Sequence, residues 1–323
     1  LRFSERTPRR KVGIEFEFFG PNIADVQRFL TDVGLAQRGW MVEYDGSSIG
    51  NTADGVLGLE MKSPPLSGID GVRQLRGACT VLRSLGAQYD LLSGLHVHYD
   101  AAGLSLIDIK RILSAFIAYE DALEFFLGVP DGRRYNDCHY AKSLQQKFSS
   151  ADVHAKTQLQ VQDRQSVSEA CTQEGPIVAL THMFIEMHNA RWKPADPLKR
   201  QAIERGLKAI HACKTVEDLM TLFKDDRNMK LNIQSLKKFG TLEYRQPGAV
   251  PVTFDGVMHM VVGFDLFLHA ALEDLLPTGG FINGSSLEHK FEILMDMAEE
   301  GPIAAREGYD HSLSRYNFCL SCA

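Results

Sequence analysis

Gly13-Ile14-Glu15-Phe16-Glu17-Phe18 is the stretch on which the reading of this chain turns. On a strand, side chains two apart share a face about 6–7 Å from each other. Glu15 and Glu17 therefore make a one-sided pair, with Phe16 turned toward a core. Three distant stretches repeat the pattern: Leu59-Glu60-Met61-Lys62-Ser63-Pro64-Pro65, Gly94-Leu95-His96-Val97-His98 and Thr241-Leu242-Glu243-Tyr244-Arg245. His96 pairs with His98 and Glu243 with Arg245, while Val97 and Tyr244 face inward. If the four strands share one sheet, its polar face collects four carboxylates, two imidazoles and a guanidinium. Like charges at such spacing gather only where cations hold them together.

Around these strands the apolar residues change period. Ile23, Val26, Phe29, Leu30 and Val33 recur at helical spacing before Gly34, as do Ile69, Val72, Leu75, Cys79, Leu82 and Leu85 before Gly86. The spacing predicts its strongest helix over 104–127, with Gly128 and Pro130 just beyond its end. Residues 40–63 read as two or three strands with turns at Asp45-Gly46 and Ala53-Asp54-Gly55. The polar 131–175 segment reads as a long functional loop or insertion, followed by helices at 176–190, 197–212 and 215–224. A strand pair turning at Phe239-Gly240 is expected over 231–246, then mostly helix over 254–300. Single strands between helices, each alternating polar and apolar, favour an α+β fold with a curved, mainly antiparallel sheet. One face would be open and the other covered by helices. A single domain over 1–323 is expected, with core strands within 11–100 and 229–247, a helical and loop insertion at about 101–228, and C-terminal helices at about 254–300.

Composition narrows the function classes. With 323 residues, 44% of them hydrophobic, the chain can bury a substantial core. Its net charge of −6 gives no global electrostatic case for nucleic acid or an anionic membrane. The sequence holds no run of about 18 or more purely apolar residues, so no membrane span is expected. Residues 1–10 are basic but lack the apolar stretch of a signal peptide. Six scattered cysteines suit a reducing compartment, and a cytoplasmic location is expected. Cys319 and Cys322 are close in sequence but have no second pair to complete a metal site.

Each motif has a plain reading beside the chemical one. Glu15 and Glu17 alone match the solvated face of an amphipathic strand, and also a hard-oxygen site for Mg²⁺ or Mn²⁺. His96-Val97-His98 suits zinc, phosphate or simple polarity, though Gly94 permits close backbone approach. Glu243 and Arg245 match an ordinary ion pair. Asp45-Gly46 is equally a tight turn. A zinc hydrolase would use His96 and His98 and leave the carboxylates and Arg245 unexplained. A phosphotransferase on the same sheet, or a nucleotide-binding module without catalysis, also fits single motifs.

Taken together, the segments resemble the amidoligase family, within the glutamine synthetase and glutamate–cysteine ligase superfamily of carboxylate–amine ligases. The resemblance rests on residues 13–17, Asp45-Gly46-Ser47, 59–66, 94–100, Lys230-Leu231-Asn232 and 240–245, spanning about 11–250. Between 131 and 228 it extends only to Arg134-Tyr135-Asn136. The resemblance implies a glutamine-synthetase-like sheet with the active site in its concave face. It implies Glu15, Glu17, Glu60, His96 and Glu243 as ligands for two or more Mg²⁺ or Mn²⁺ ions. His98 and Arg245 would meet the ATP phosphates, with Lys62 and Asn232 also on the nucleotide side. The implied reaction joins a carboxylic acid to an amine through an acyl phosphate. Arg245 and Glu243 serve the transfer, Asp45 is the candidate base, and Arg134 with Asn136 are candidates for reading the acid.

Overall fold

The computed structural model describes residues 8–45, 58–89, 93–127, 141–149, 197–224, 227–248, 253–278 and 287–300. Six strands form one sheet: β1 (Val12–Phe18), β2 (Met41–Asp45), β3 (Gly58–Lys62), β4 (Leu95–Asp100), β5 (Leu231–Asn232) and β6 (Thr241–Tyr244). They lie in the order β2-β3-β1-β4-β6-β5, and every neighbouring pair is antiparallel. The alternation expected from the sequence holds in the pleat. Val12, Ile14, Phe16, Phe18, Leu59, Met61, Leu95, Val97, Tyr99, Leu242 and Tyr244 are all buried on one side.

The described residues also form helices, the longest of which pack on that apolar side. The helices are α1 (Ile23–Asp32), α2 (Gly68–Ser84), α3 (Leu106–Phe126), α4 (Leu144–Lys147), α5 (Pro197–Ala212), α6 (Val216–Leu222), α7 (Ser235–Phe239), α8 (Phe254–Leu272) and α9 (Leu287–Glu300). Their ends follow local chemistry. Asn22 caps α1 by accepting from the Ala24 amide at 2.8 Å, and Thr215 with Asp218 forms a reciprocal capping box on α6. α3 packs against α5, α8 and α9, and α8 also meets α2. Tyr244 of β6 stacks on Phe264 of α8, with centroids 4.0 Å apart and planes 6° apart. Phe116 of α3 meets both rings edge-on, and the Tyr99 hydroxyl donates to the Val261 carbonyl at 2.8 Å. Sheet and helices are thus joined by an aromatic layer.

One expectation needs correction. The segment over 231–246 is not a simple strand pair. After the two-residue β5 the chain turns through α7, and Gly240 takes a left-handed φ of 66° to start β6. The Ser235 hydroxyl stabilises this detour by bonding the Asn232 carbonyl at 2.9 Å and the Thr241 carbonyl at 2.6 Å. A local hydroxyl bridge of this kind has no period for a strand pattern to reveal. The helix α8 is long and apolar enough to cross a membrane by length and composition alone. Its packing explains the composition: 78% of its most apolar window is buried against the sheet and neighbouring helices. The expected helix at 176–190, the turn at 53–55, and Cys319 and Cys322 lie outside the described residues. Within 131–175, only 141–149 is described; it contains α4 and a bridge from Lys142 to Met229.

A buried charged group lies where α3 meets β5. Lys230 is 1% exposed and touches both Glu120, at 3.0 Å, and Glu124. Glu120 also accepts from the Leu144 and Gln145 amides, at 2.9 and 3.3 Å. Burial pushes the Glu124 carboxyl up to about 8 despite Lys230. The backbone ties this group to the end of β6, because the Lys230 carbonyl accepts the Arg245 amide at 2.8 Å.

Candidate active site

The antiparallel register places the polar side chains in rows on the sheet's other face. Glu15 lies opposite Lys62 on one side and His96 on the other. Glu17 faces Glu60, which in turn faces Glu43. His98 lies between Gly13 and Glu243, and Glu243 faces Asn232. One pleat therefore brings β1, β3, β4, β5 and β6 to a common patch. Two glycines leave room for the rings. A Cβ on Gly13 would touch the His98 Cβ at 3.4 Å, and one on Gly94 would lie only 2.5 Å from His96 Nε2.

The side chains converge tightly. His96 Nδ1 is 3.3 Å from Glu15 Oε2, and His96 Nε2 is 3.5 Å from Glu17 Oε1. His98 Nε2 lies 3.5 Å from Glu15 Oε1 and 3.9 Å from Glu243 Oε1. The Gly94 amide donates to Glu17 Oε2 at 2.6 Å, fixing that carboxylate. Asn232 donates to Glu243 Oε2 at 2.7 Å, and Arg245 pairs with the other oxygen. His98 Nδ1 is held by the Thr241 hydroxyl at 2.9 Å. Yet His96 Nε2 and His98 Nε2 are buried without a hydrogen-bond partner. Buried imidazole nitrogens left in that state, both facing carboxylates, are a costly arrangement for a face with only a structural role.

The carboxylates feel their crowding. Burial pushes the Glu60 carboxyl up to about 7, and the Glu15 charge adds to the effect against the pull of Lys62. For Glu15, burial acts upward too, but hydrogen bonds and charge from His96 and His98 outweigh it and hold it well below the usual carboxylate range. Lys62 pairs with Glu60 at 2.7 Å and with Glu43. Burial works against its charge, and the two carboxylates more than compensate, leaving its pKa raised.

Two sets of donors meet the geometric needs of a cation. Glu15, Glu60 and His96 each offer an atom within 4.8 Å of the others, and so do Glu15, His98 and Glu243. Glu15 belongs to both. Oxygen-rich sets with one imidazole suit hard divalent ions. Glu17 adjoins the first set through His96.

Of the remaining sequence candidates, Lys62, Asn232 and Arg245 lie in this patch. Asp45 ends the edge strand, opposite Gly58. At about 4.8 Å per strand and about 6.7 Å per two residues, its Cα is roughly 16 Å from that of Glu15. The structure therefore puts it at the rim. Arg134 and Asn136 lie outside the described residues. Three members went unremarked in sequence. Glu43 continues the alternation across β2, which was its signal. Thr241 precedes Glu243 by two and shares its face. Phe239, just before Gly240, is exposed against the His98 ring; it had no periodic signal.

No curated protein and no solved structure matches the chain. A family model described as "Putative amidoligase enzyme" matches residues 8–250, which include every strand of the sheet and each side chain of the patch. The chain belongs to the amidoligase family, and the family name supports an enzyme of ligase type.

Proposed function

We propose that this chain is an ATP-dependent carboxylate–amine ligase of the glutamine synthetase kind. The observation that carries the reading is the pair of donor sets sharing Glu15, with His96 Nε2 and His98 Nε2 buried and unpartnered beside them. The donor chemistry fits two Mg²⁺ or Mn²⁺ ions, held by Glu15, Glu60 and His96 and by Glu15, His98 and Glu243, with Glu17 supporting the first. Such ions would neutralise the triphosphate and brace the phosphoryl group.

The residues have distinct tasks. Arg245, anchored on Glu243 and half of a polar pair with it, presents a guanidinium suited to the charge that develops on the transferring group. Asn232 and Thr241 hold Glu243 and His98 in orientation. The Gly94 amide does the same for Glu17. A carboxylate does not condense with an amine in water near neutral pH, because hydroxide leaves poorly. In the proposed sequence an acid oxygen attacks the γ-phosphorus, the bond to ADP breaks, and an acyl phosphate forms. The amine nitrogen then attacks the acyl carbon, the carbon–oxygen bond to phosphate breaks, and the nitrogen loses a proton. The products are an amide, ADP, phosphate and a proton.

The chain with Mg²⁺ and ATP, screened against pools of acids and amines, should yield an amide with equal amounts of ADP and phosphate. With ¹⁸O in the acid, one label should appear in the phosphate. Arg245→Ala should lower the rate on the order of 10²-fold. A stable phosphorylated product would assign a phosphotransferase instead, and tightly retained zinc with no ATP turnover would favour a hydrolase.

A further inference from the structure

The polar face ends, beyond His98, in an aromatic side chain that the chemistry above does not use. Phe239 is 56% exposed, among the largest apolar exposures of the described residues. Its ring stands at 83° to the His98 ring, with centroids 5.6 Å apart. The edge-on contact with the buried His98 ring leaves more than half of the Phe239 surface open to solvent. We propose that Phe239 is the platform on which the base of the nucleotide stacks, with the triphosphate running over His98 to the carboxylates. This rests on the ATP-dependent reading.

The mounting of the ring supports a fixed role. Phe239 closes α7, and the next residue, Gly240, takes the left-handed turn. The Gly240 amide donates to the Leu236 carbonyl at 3.1 Å, and its carbonyl accepts from the Ala101 amide at 3.0 Å. With the Ser235 bridge to Thr241, the short helix is tied to both β4's exit and β6's start. The ring is therefore held relative to Thr241, whose hydroxyl orients His98. One imidazole separates Phe239 from Glu15, since His98 Nε2 is 3.5 Å from Glu15 Oε1. Base, phosphates and carboxylates would thus follow one line along the sheet.

Lys238 makes the case more specific. Its ammonium lies 4.6 Å from the Phe239 ring centroid. A cation over an exposed ring is held weakly, whereas a stacked base gains more from an aromatic surface. A base would displace the ammonium, and the flexible lysine chain would then be free to meet a phosphate. Stacking is tolerant of base identity, because every base offers a π-face. This platform would confer affinity for nucleotides in general and little preference for adenine.

The test separates base from phosphate. In Mg²⁺, the full chain is titrated calorimetrically with ATP and with inorganic tripolyphosphate. Phe239→Ala should weaken ATP binding about tenfold or more and tripolyphosphate binding less than twofold. Phe239→Trp should keep ATP affinity, and its fluorescence should change on ATP but not on tripolyphosphate. Thermal unfolding of both variants checks that this exposed position leaves the fold intact. Unchanged ATP affinity in Phe239→Ala overturns the proposal. So does an equal loss for both ligands, which would mean that the ring only supports His98. If the unsubstituted chain binds neither ligand, the ATP reading itself fails, and the platform with it.

Discussion

Replacing Gly94 with alanine tests whether the patch is built to hold cations at set distances. The added Cβ would lie 2.5 Å from His96 Nε2 and 2.8 Å from Glu17 Oε2. Non-bonded carbon and nitrogen settle at about 3.5 Å, so the ring must retreat by about 1 Å. It has little room: His96 is buried, with Nδ1 3.3 Å from Glu15 and 3.8 Å from Glu243. Metal–ligand distances tolerate about 0.2 Å, so a displacement near 1 Å takes His96 out of range. Glu17 would be pushed from the amide that fixes it. Disturbing the support of a metal ligand typically costs about 10–100-fold in affinity, and overpacking about 1–3 kcal/mol in stability. Gly94→Ala should therefore fold, melt somewhat lower, and bind Mn²⁺ about 10–100-fold more weakly by electron paramagnetic resonance titration. Gly13→Ala is the control. Its Cβ would meet the His98 Cβ at 3.4 Å, an ordinary contact, and Mn²⁺ affinity should change less than about threefold. A folded Gly94→Ala protein with unaltered Mn²⁺ affinity would falsify the assignment of His96 and Glu17 to the cation site.

Two further predictions concern the scaffold. Lys230→Met should cost about 3 kcal/mol in urea unfolding, because it strands Glu120 and Glu124 in the interior. The lower end of the usual range applies because Glu124, pushed up to about 8, needs no counter-charge at neutral pH. Adding Glu124→Leu and Glu120→Gln should recover most of the loss; a single variant within about 0.5 kcal/mol of the parent refutes the triad's role. His259 is buried on α8, where burial lowers its pKa to about 4 against the hydrogen bond to the Phe126 carbonyl. The unfolded chain takes up that proton near pH 6.5 and the folded one only near 4. Stability from this group is thus complete above about pH 6.5 and falls by about 1.4 kcal/mol per unit as pH drops toward 4. His259→Gln should flatten that slope, and parallel stability curves for the two proteins between pH 7 and 4.5 would count against it.

The sequence discloses some of this architecture directly. Glu15-Phe16-Glu17 and His96-Val97-His98 alternate so strictly that one face had to be apolar and the other polar, as the pleat shows. The order β2-β3-β1-β4-β6-β5 was not readable, because alternation says which face a residue takes and not which strand lies beside it. Two interior facts were hidden in different ways. Glu120 and Glu124 fall in the same helical stripe as Leu113, Phe116 and Ile117, where a carboxylate demands a buried partner. The stripe was legible, but Lys230, far along the chain, was not identifiable as that partner. Phe239 read as part of the turn in a strand pair, since an exposed aromatic before a glycine carries no period. Gly94 stood out only as permissive backbone; its need to remain without a side chain follows from the position of His96 Nε2.

Core and site are set by the same strands, and this explains why the patch can be so crowded. Tyr244 is locked against Phe264 on one side of β6, and the pleat then fixes Glu243 and Arg245 on the other. A slip of one residue would bury the two charges and expose the aromatic ring, so core packing enforces the register of the site. The Lys230 group adds a second lock, because its carbonyl holds the Arg245 amide while its ammonium is clamped to α3. Gathering Glu15, Glu17 and Glu60 costs energy: burial first, and then the Glu15 charge and, more weakly, the Glu17 charge, push the Glu60 carboxyl up to about 7. Solvent-exposed loops would relieve that repulsion by moving apart. Strands fixed on their helix side by an aromatic layer and a buried ion triad cannot, and in the proposed function bound cations would offset that repulsion. Rigid carboxylates would suit the proposed phosphoryl transfer, since little reorganisation would then remain when charge shifts in the transition state.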